Sequence, residues 1–146
     1  MRSLLPAAFG YSVLTLMDLD DLGPFVHAQE LAQRHGFPEP FLAKLLQTLA
    51  RVGILESVRG ARGGFRLAKP AHRIVLAEIL AAIHEVRVAD TAAPCVLTHE
   101  PCNAGCPCAL HQPWSQARAG LDVILSGTTL RDLQLRAQKR QRLTHE

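Results

Sequence analysis

Pro38-Glu39-Pro40-Phe41-Leu42-Ala43-Lys44-Leu45-Leu46-Gln47-Thr48-Leu49-Ala50-Arg51 is the stretch on which the fold turns. Leu42, Leu45, Leu46 and Leu49 fall at i, i+3, i+4 and i+7, which puts all four on one stripe of a helix. Pro38 and Pro40 can open that helix, because a first turn leaves its N–H groups unpaired anyway. Gly53 closes it. With the leucines turned inward, the opposite face carries Ala43, Lys44, Gln47 and Arg51. Just upstream, Ala28 to His35 forms a shorter helical pattern with Leu31 and Ala32 inward. Gly36 stands where a C-cap glycine belongs. Two helices joined by a tight glycine-containing turn predict a helix-turn-helix. Before them, Tyr11, Leu14 and further apolar residues up to Leu22 predict a first helix, stopped around Gly23-Pro24.

Downstream, Ile54 to Arg59 and Phe65 to Ala68 are short apolar runs around Gly60-Ala61-Arg62-Gly63-Gly64, the pattern of a β-hairpin. A hairpin directly after a helix-turn-helix is a wing. The expected fold class is therefore mainly α with a small β-hairpin wing. Lys44, Gln47 and Arg51 are residue types that meet base edges or phosphates in a major groove. Exposed helix faces are normally polar, so those three alone do not single out a ligand. The wing shifts the balance, because Arg59, Arg62 and Arg66 lie on or beside a tip without bulky side chains. Such arginines can reach phosphates or enter a minor groove. A further amphipathic helix follows, with Leu76, Ile79, Leu80 and Ile83 on one face.

The chain has 146 residues, enough for one compact domain or a small domain with a dimerisation appendage. Apolar residues make up 48% and aromatics only 5%, so the core must be built mainly from Leu, Ala, Val and Ile. A formal charge of +3 is compatible with nucleic acid, but the placement of the charges has to decide. The apolar opening from Leu4 to Met17 has no clear cleavage site and runs straight into Asp18, Asp20 and Asp21, so it reads as a buried helix and not as a signal peptide. No stretch approaches the roughly 20 apolar residues that cross a bilayer. A cytoplasmic protein without a membrane partner is expected, and structural disulfides are not.

All four cysteines, Cys95, Cys102, Cys106 and Cys108, fall between Ala89 and Pro113, where Pro94, Pro101, Pro107, Pro113 and Gly105 oppose regular structure. Loops this long are usually functional or disordered. No pair of Cys-x-x-Cys knuckles is present for a zinc ribbon. Thiolates are the standard ligands of iron–sulfur clusters, and the imidazole of His111 can replace one. On spacing alone the loop admits a cluster, zinc or no metal. A redox-active thiol protein using Cys106-Pro107-Cys108 is a rival of another class, but no substrate-binding motif accompanies the pair. Beyond the loop, Leu110, Trp114, Ala117, Leu121 and Ile124 repeat at coiled-coil spacing. Gly127 ends that seam, Thr128 or Thr129 can cap a short last helix, and a polar, basic tail begins at Arg136.

Tyr11 through Ala68, above all Pro38-Glu39-Pro40-Phe41-Leu42 and Ser57-Val58-Arg59-Gly60-Ala61-Arg62-Gly63-Gly64-Phe65-Arg66-Leu67, resembles the Rrf2 family of bacterial regulators. The similarity extends through the loop, Trp114 and Thr128-Thr129-Leu130. It implies a homodimer on palindromic operator DNA, with wing and third helix on the duplex and the long late helix at the dimer interface. It also implies an iron–sulfur cluster (2Fe–2S or 4Fe–4S) as sensor of iron, redox state or nitric oxide. Cys108-Ala109-Leu110-His111-Gln112-Pro113-Trp114 resembles the end of the family's cluster motif, with Cys102 and Cys95 upstream and Cys106 surplus to it. A metal-free or zinc-binding thiol-responsive regulator of the same fold is the alternative. The expected organisation is a winged helix-turn-helix domain over 1–88, a cysteine-rich cluster-binding loop over 89–113, and a dimerisation helix with C-terminal tail over 114–146. Pro40 and Ala43 offer no side-chain hydrogen bonds where several family members carry polar readers.

Overall fold

The computed structural model describes residues 5–83 and 109–143. The order is α1 (Ala7–Met17), α2 (Ala28–His35), α3 (Glu39–Arg51), β1 (Leu55–Val58), β2 (Gly64–Leu67), a single 3-10 turn (Ala71–Arg73), α4 (Leu76–Ile83), α5 (His111–Gly127) and α6 (Leu130–Leu143). This is the expected winged helix: helices with one small antiparallel sheet. The leucine stripe of α3 is buried as a set, and Leu42, Leu46 and Leu49 are fully enclosed. They pack with Leu16, Leu31, Ile54, Leu55, Leu67, Ile74, Ile79 and Leu130 in one core drawn from nearly every element. α2 ends at Gly36 with a left-handed φ of 68°.

β1 and β2 pair in the register Leu55↔Leu67, Glu56↔Arg66, Ser57↔Phe65 and Val58↔Gly64. The alternation puts Leu55 and Leu67 on the core side. A third short piece joins them. Val26, just ahead of α2, bridges Phe65 through N–H···O bonds of 2.9 and 2.8 Å. That approach explains Gly64, where a Cβ would stand 2.4 Å from the Val26 carbonyl oxygen and where φ is 125°. At Gly63 a Cβ would meet the Val58 carbonyl at 2.1 Å. No other residue type fits either place without moving backbone.

Two expectations need correcting. The first helix runs from Ala7 to Met17 and does not reach Leu22. Leu19 misled the periodicity: it is buried in the core from the turn that follows the helix. The C-terminal segment is no short helix with a polar tail, since α6 continues to Leu143. Its Leu, Arg, Gln and Lys residues are strong helix formers. Buried Gln134 fastens it, donating 3.2 Å hydrogen bonds to the carbonyls of Met17 and Leu19. Thr129 and Asp132 form a reciprocal cap at its start: the Asp132 carboxylate accepts from the Thr129 backbone at 2.9 Å, and the Thr129 hydroxyl accepts from the Asp132 N–H at 3.2 Å. The backbone and side-chain hydrogen bonds from Thr129, with Arg136 nearby, hold the Asp132 carboxyl below its ordinary value. The turn between α5 and α6 is stitched to the head of α4 by Leu76 N–H to Thr128 O at 3.0 Å and Leu130 N–H to Ile74 O at 2.8 Å.

Candidate nucleic-acid interface

α3 presents Lys44, Gln47 and Arg51 on its exposed face, at i, i+3 and i+7. The stripe is set by the leucines behind it, because burying one face of a helix fixes the direction of the other. Across from it stands the wing, with Arg59 and Arg62 both exposed. Between the two lies an open groove of about 580 Å³, bordered by Gln47, Ala43 and Glu39 of α3, by Arg59 and Gly60 of the wing, and by His27 at the head of α2. Helix, wing and helix start therefore face one space, and the geometry suits a duplex strand lying against α3 with the hairpin beside it.

The six residues singled out for DNA contact do not stand alike. Lys44, Arg59 and Arg62 make no ion pair among the described residues, so their charges are available to a polyanion. Arg66 is engaged. Its Nε donates to Glu56 at 2.8 Å across the hairpin, and its guanidinium lies 4.5 Å over the Phe25 ring. The pairing follows from the strand register, which sets Glu56 opposite Arg66. Sequence reasoning did not single out His27, whose Nε2 lies 3.0 Å from the Ala61 carbonyl oxygen at the wing tip. Nothing short of the fold places residues 27 and 61 together.

Of the five candidate metal ligands, Cys95, Cys102, Cys106 and Cys108 lie outside the described residues. His111 is the first residue of α5. One turn on, Trp114 has its indole N–H buried without an acceptor among the described residues. The expected seam along α5 divides in two. Leu121 packs on the core, joined there by buried Leu125, which the seam did not include. Leu110, Ala117 and Ile124 are exposed, and Val123 with them. No helix among the described residues is long and apolar enough to cross a membrane.

Residues 5–135 match the Rrf2 family, described as an iron-dependent transcriptional regulator. The chain belongs to the Rrf2 family. The IscR transcriptional regulator of Photorhabdus laumondii is 31% identical over 126 residues, covering 84% of this chain and 74% of that one. In fold the chain is similar to T. potens IscR, with a TM-score of 0.74 at 23% identity, covering 97% of this chain and 93% of that one. It is also similar to CymR, the global cysteine regulator of B. subtilis, with a TM-score of 0.70 at 22% identity, covering 92% of this chain and 97% of that one. This Rrf2 protein is accordingly a winged-helix transcriptional regulator and not an enzyme.

Proposed function

We propose that this Rrf2 protein works in the cytoplasm as a homodimer that grips a palindromic operator and senses iron, redox state or nitric oxide through an iron–sulfur cluster. The observation that carries the DNA half is the common groove, bordered by the α3 face and by a wing whose Arg59 and Arg62 are unpaired. On this reading Gln47, which borders the groove, reads base edges, while Arg59 beside it and Lys44, Arg51 and Arg62 around it hold phosphates. Arg66, tied to Glu56, supports the wing more than it contacts the duplex.

The dimer reading rests on α5. Leu110 is 46% exposed, Val123 71% and Ile124 61%. Burying one such side chain is worth about 1.5–3 kcal/mol. A second copy of α5 offers the same stripe in return, the self-complementarity that a two-fold interface requires. Two copies of α3 would then meet the two halves of a palindrome.

The donor set fits a cluster. Cys95, Cys102 and Cys108 are soft thiol ligands, Cys106 is a surplus thiol beside them, and the His111 imidazole at the head of α5 completes a set of iron-binding type. The buried Trp114 N–H offers a donor to whatever docks on that end of α5, and leaving such a group unpaired costs about 1–3 kcal/mol. When bound, the cluster supplies a centre that oxidants, nitric oxide and iron shortage each alter. Ligation by the cysteines would tether the chain just ahead of α5, and α5 is stitched to the winged helix at the Thr128–Leu130 turn. A signal shifts the affinity for DNA only by its unequal preference for two placements of the DNA-binding heads.

Anaerobic purification with visible absorbance and iron and sulfide assay tests the sensor. A brown protein with stoichiometric sulfide is expected, retained in Cys106→Ala and lost in Cys95→Ala, Cys102→Ala or Cys108→Ala. A colourless, iron-free protein after reconstitution would leave the thiol-responsive, zinc or metal-free regulator in its place. In vitro selection from random duplexes tests the other half, and a palindromic motif is the expected outcome.

A further inference from the structure

The wing is held to the helix-turn-helix by more than its own ladder. Pairing of Val26 with Phe65 draws the segment ahead of α2 along the hairpin, and Gly64 lets the two backbones touch. His27 is the next residue, and its Nε2 reaches the Ala61 carbonyl at 3.0 Å. A carbonyl only accepts, so Nε2 carries the proton and donates. Ala61 sits at the tip, between the unpaired Arg59 and Arg62. The tip itself turns on a single backbone bond, Gly63 N–H to Gly60 O at 3.0 Å, and Gly60 has φ of 113° with open space around it. A glycine turn of this kind has many accessible conformations. The imidazole removes part of that freedom, and it does so from a residue fixed by the sheet on one side and by α2 on the other.

We propose that His27 is a positioning residue for DNA recognition: its hydrogen bond to the wing tip sets where Arg59 and Arg62 stand relative to the α3 face. The proposal rests on the DNA-binding reading of the groove, which His27 borders together with Gln47 and Arg59. A wing fixed in advance spends less of its binding energy on ordering the loop.

The test uses the full chain and the duplex that it selects. His27→Ala should bind about five-fold more weakly, the size of one net hydrogen bond. His27→Gln, which keeps a donor, should recover most of that loss. Amide exchange at residues 60–63 of the free protein should quicken in His27→Ala, while the urea midpoint falls by no more than the loss of one hydrogen bond accounts for. In an Arg59→Ala/Arg62→Ala background, His27→Ala should have no further effect, because a residue that acts through others is non-additive with them. Full additivity in that background would mean that His27 touches the duplex itself and would overturn the proposal. Unchanged tip exchange together with unchanged affinity would overturn it too. If the unaltered protein selects no duplex at all, the DNA reading falls and the proposed role falls with it, while the exchange rates still report whether the tether exists.

Discussion

α3 and α5 carry similar promise as amphipathic helices and meet different fates. α3 buries its whole leucine stripe within its own chain. α5 is longer, 17 residues against 13, yet buries one residue, Leu125, and leaves Val123 and Ile124 in the open. Their ends differ as well. α3 has Glu39 in its first turn and Arg51 in its last, which suits the helix dipole. Neither helix has a side-chain cap, but α5 also lacks an acid in its first turn and a base in its last. A helix whose apolar face is covered within its own chain is a structural element. One that leaves Val123 and Ile124 in the open has a face free for something else, which on the proposed reading is a second chain.

The largest expected effect tests the self-sufficient helix. Leu46→Ala should cost about 2–5 kcal/mol in urea unfolding, because a fully enclosed leucine leaves a cavity in a close-packed core. Ile124→Arg should do the reverse: the chain should still fold, since the site lies outside its own core, while sedimentation shifts from dimer to monomer and the stability that association adds is lost. A chain already monomeric at high micromolar concentration, or an Ile124→Arg variant that unfolds, would break the contrast between the two helices. The wing gives a finer comparison. Arg59→Ala and Arg62→Ala should each weaken binding across sequences and flatten the plot of log K against log salt by about 0.9. Arg66→Ala should move that slope least, because its charge is already answered by Glu56 at 2.8 Å. Equal slope changes for all three arginines would mean that the Glu56 pair opens on the duplex.

How far these regions could be read from sequence follows the same division. In α2, α3 and the hairpin, the signals are local: leucines at helical spacing, Gly36 at the C-cap, glycines where two backbones touch. The structure returns those elements nearly residue for residue. α1 was misread at its end because Leu19 keeps the apolar spacing while leaving the helix, and only packing tells a buried turn leucine from a helical one. α6 was cut short because its sequence is polar. Its stability comes from Gln134 reaching the Met17 and Leu19 carbonyls, a contact more than a hundred positions distant that no window can contain. His27 was invisible for the same reason. It looks like an ordinary surface histidine until residues 27 and 61 are in one place. The α5 seam was legible as a stripe, but its division between core and open surface depended on where α4 stands.

The smallest expected effect probes the third kind of helix start, the one α5 lacks. α6 begins with Thr129 and Asp132 satisfying each other's backbone N–H groups. The Asp132 carboxyl is held below its ordinary value, first by the Thr129 backbone hydrogen bond and then by the Thr129 hydroxyl, so its charged form is favoured in the folded chain. A depressed carboxyl contributes stability that is present above its unfolded value and is lost as pH falls through its folded value. Asp132→Ala should therefore be slightly less stable than the parent at neutral pH, and the two unfolding curves should converge as the medium is acidified below the ordinary aspartate range. Because α6 docks its turn on Ile74 and Leu76, a loosened cap should also be felt there, as faster amide exchange at Leu130 and Leu76. A difference between parent and variant that persists unchanged into acid would mean that the side chain acts by packing and not by its charge. A comparable cap engineered into α5 should then stabilise that helix in the isolated chain by its own local effect, and if it also weakened the response to the sensor, the open start of α5 would be a working part of the switch.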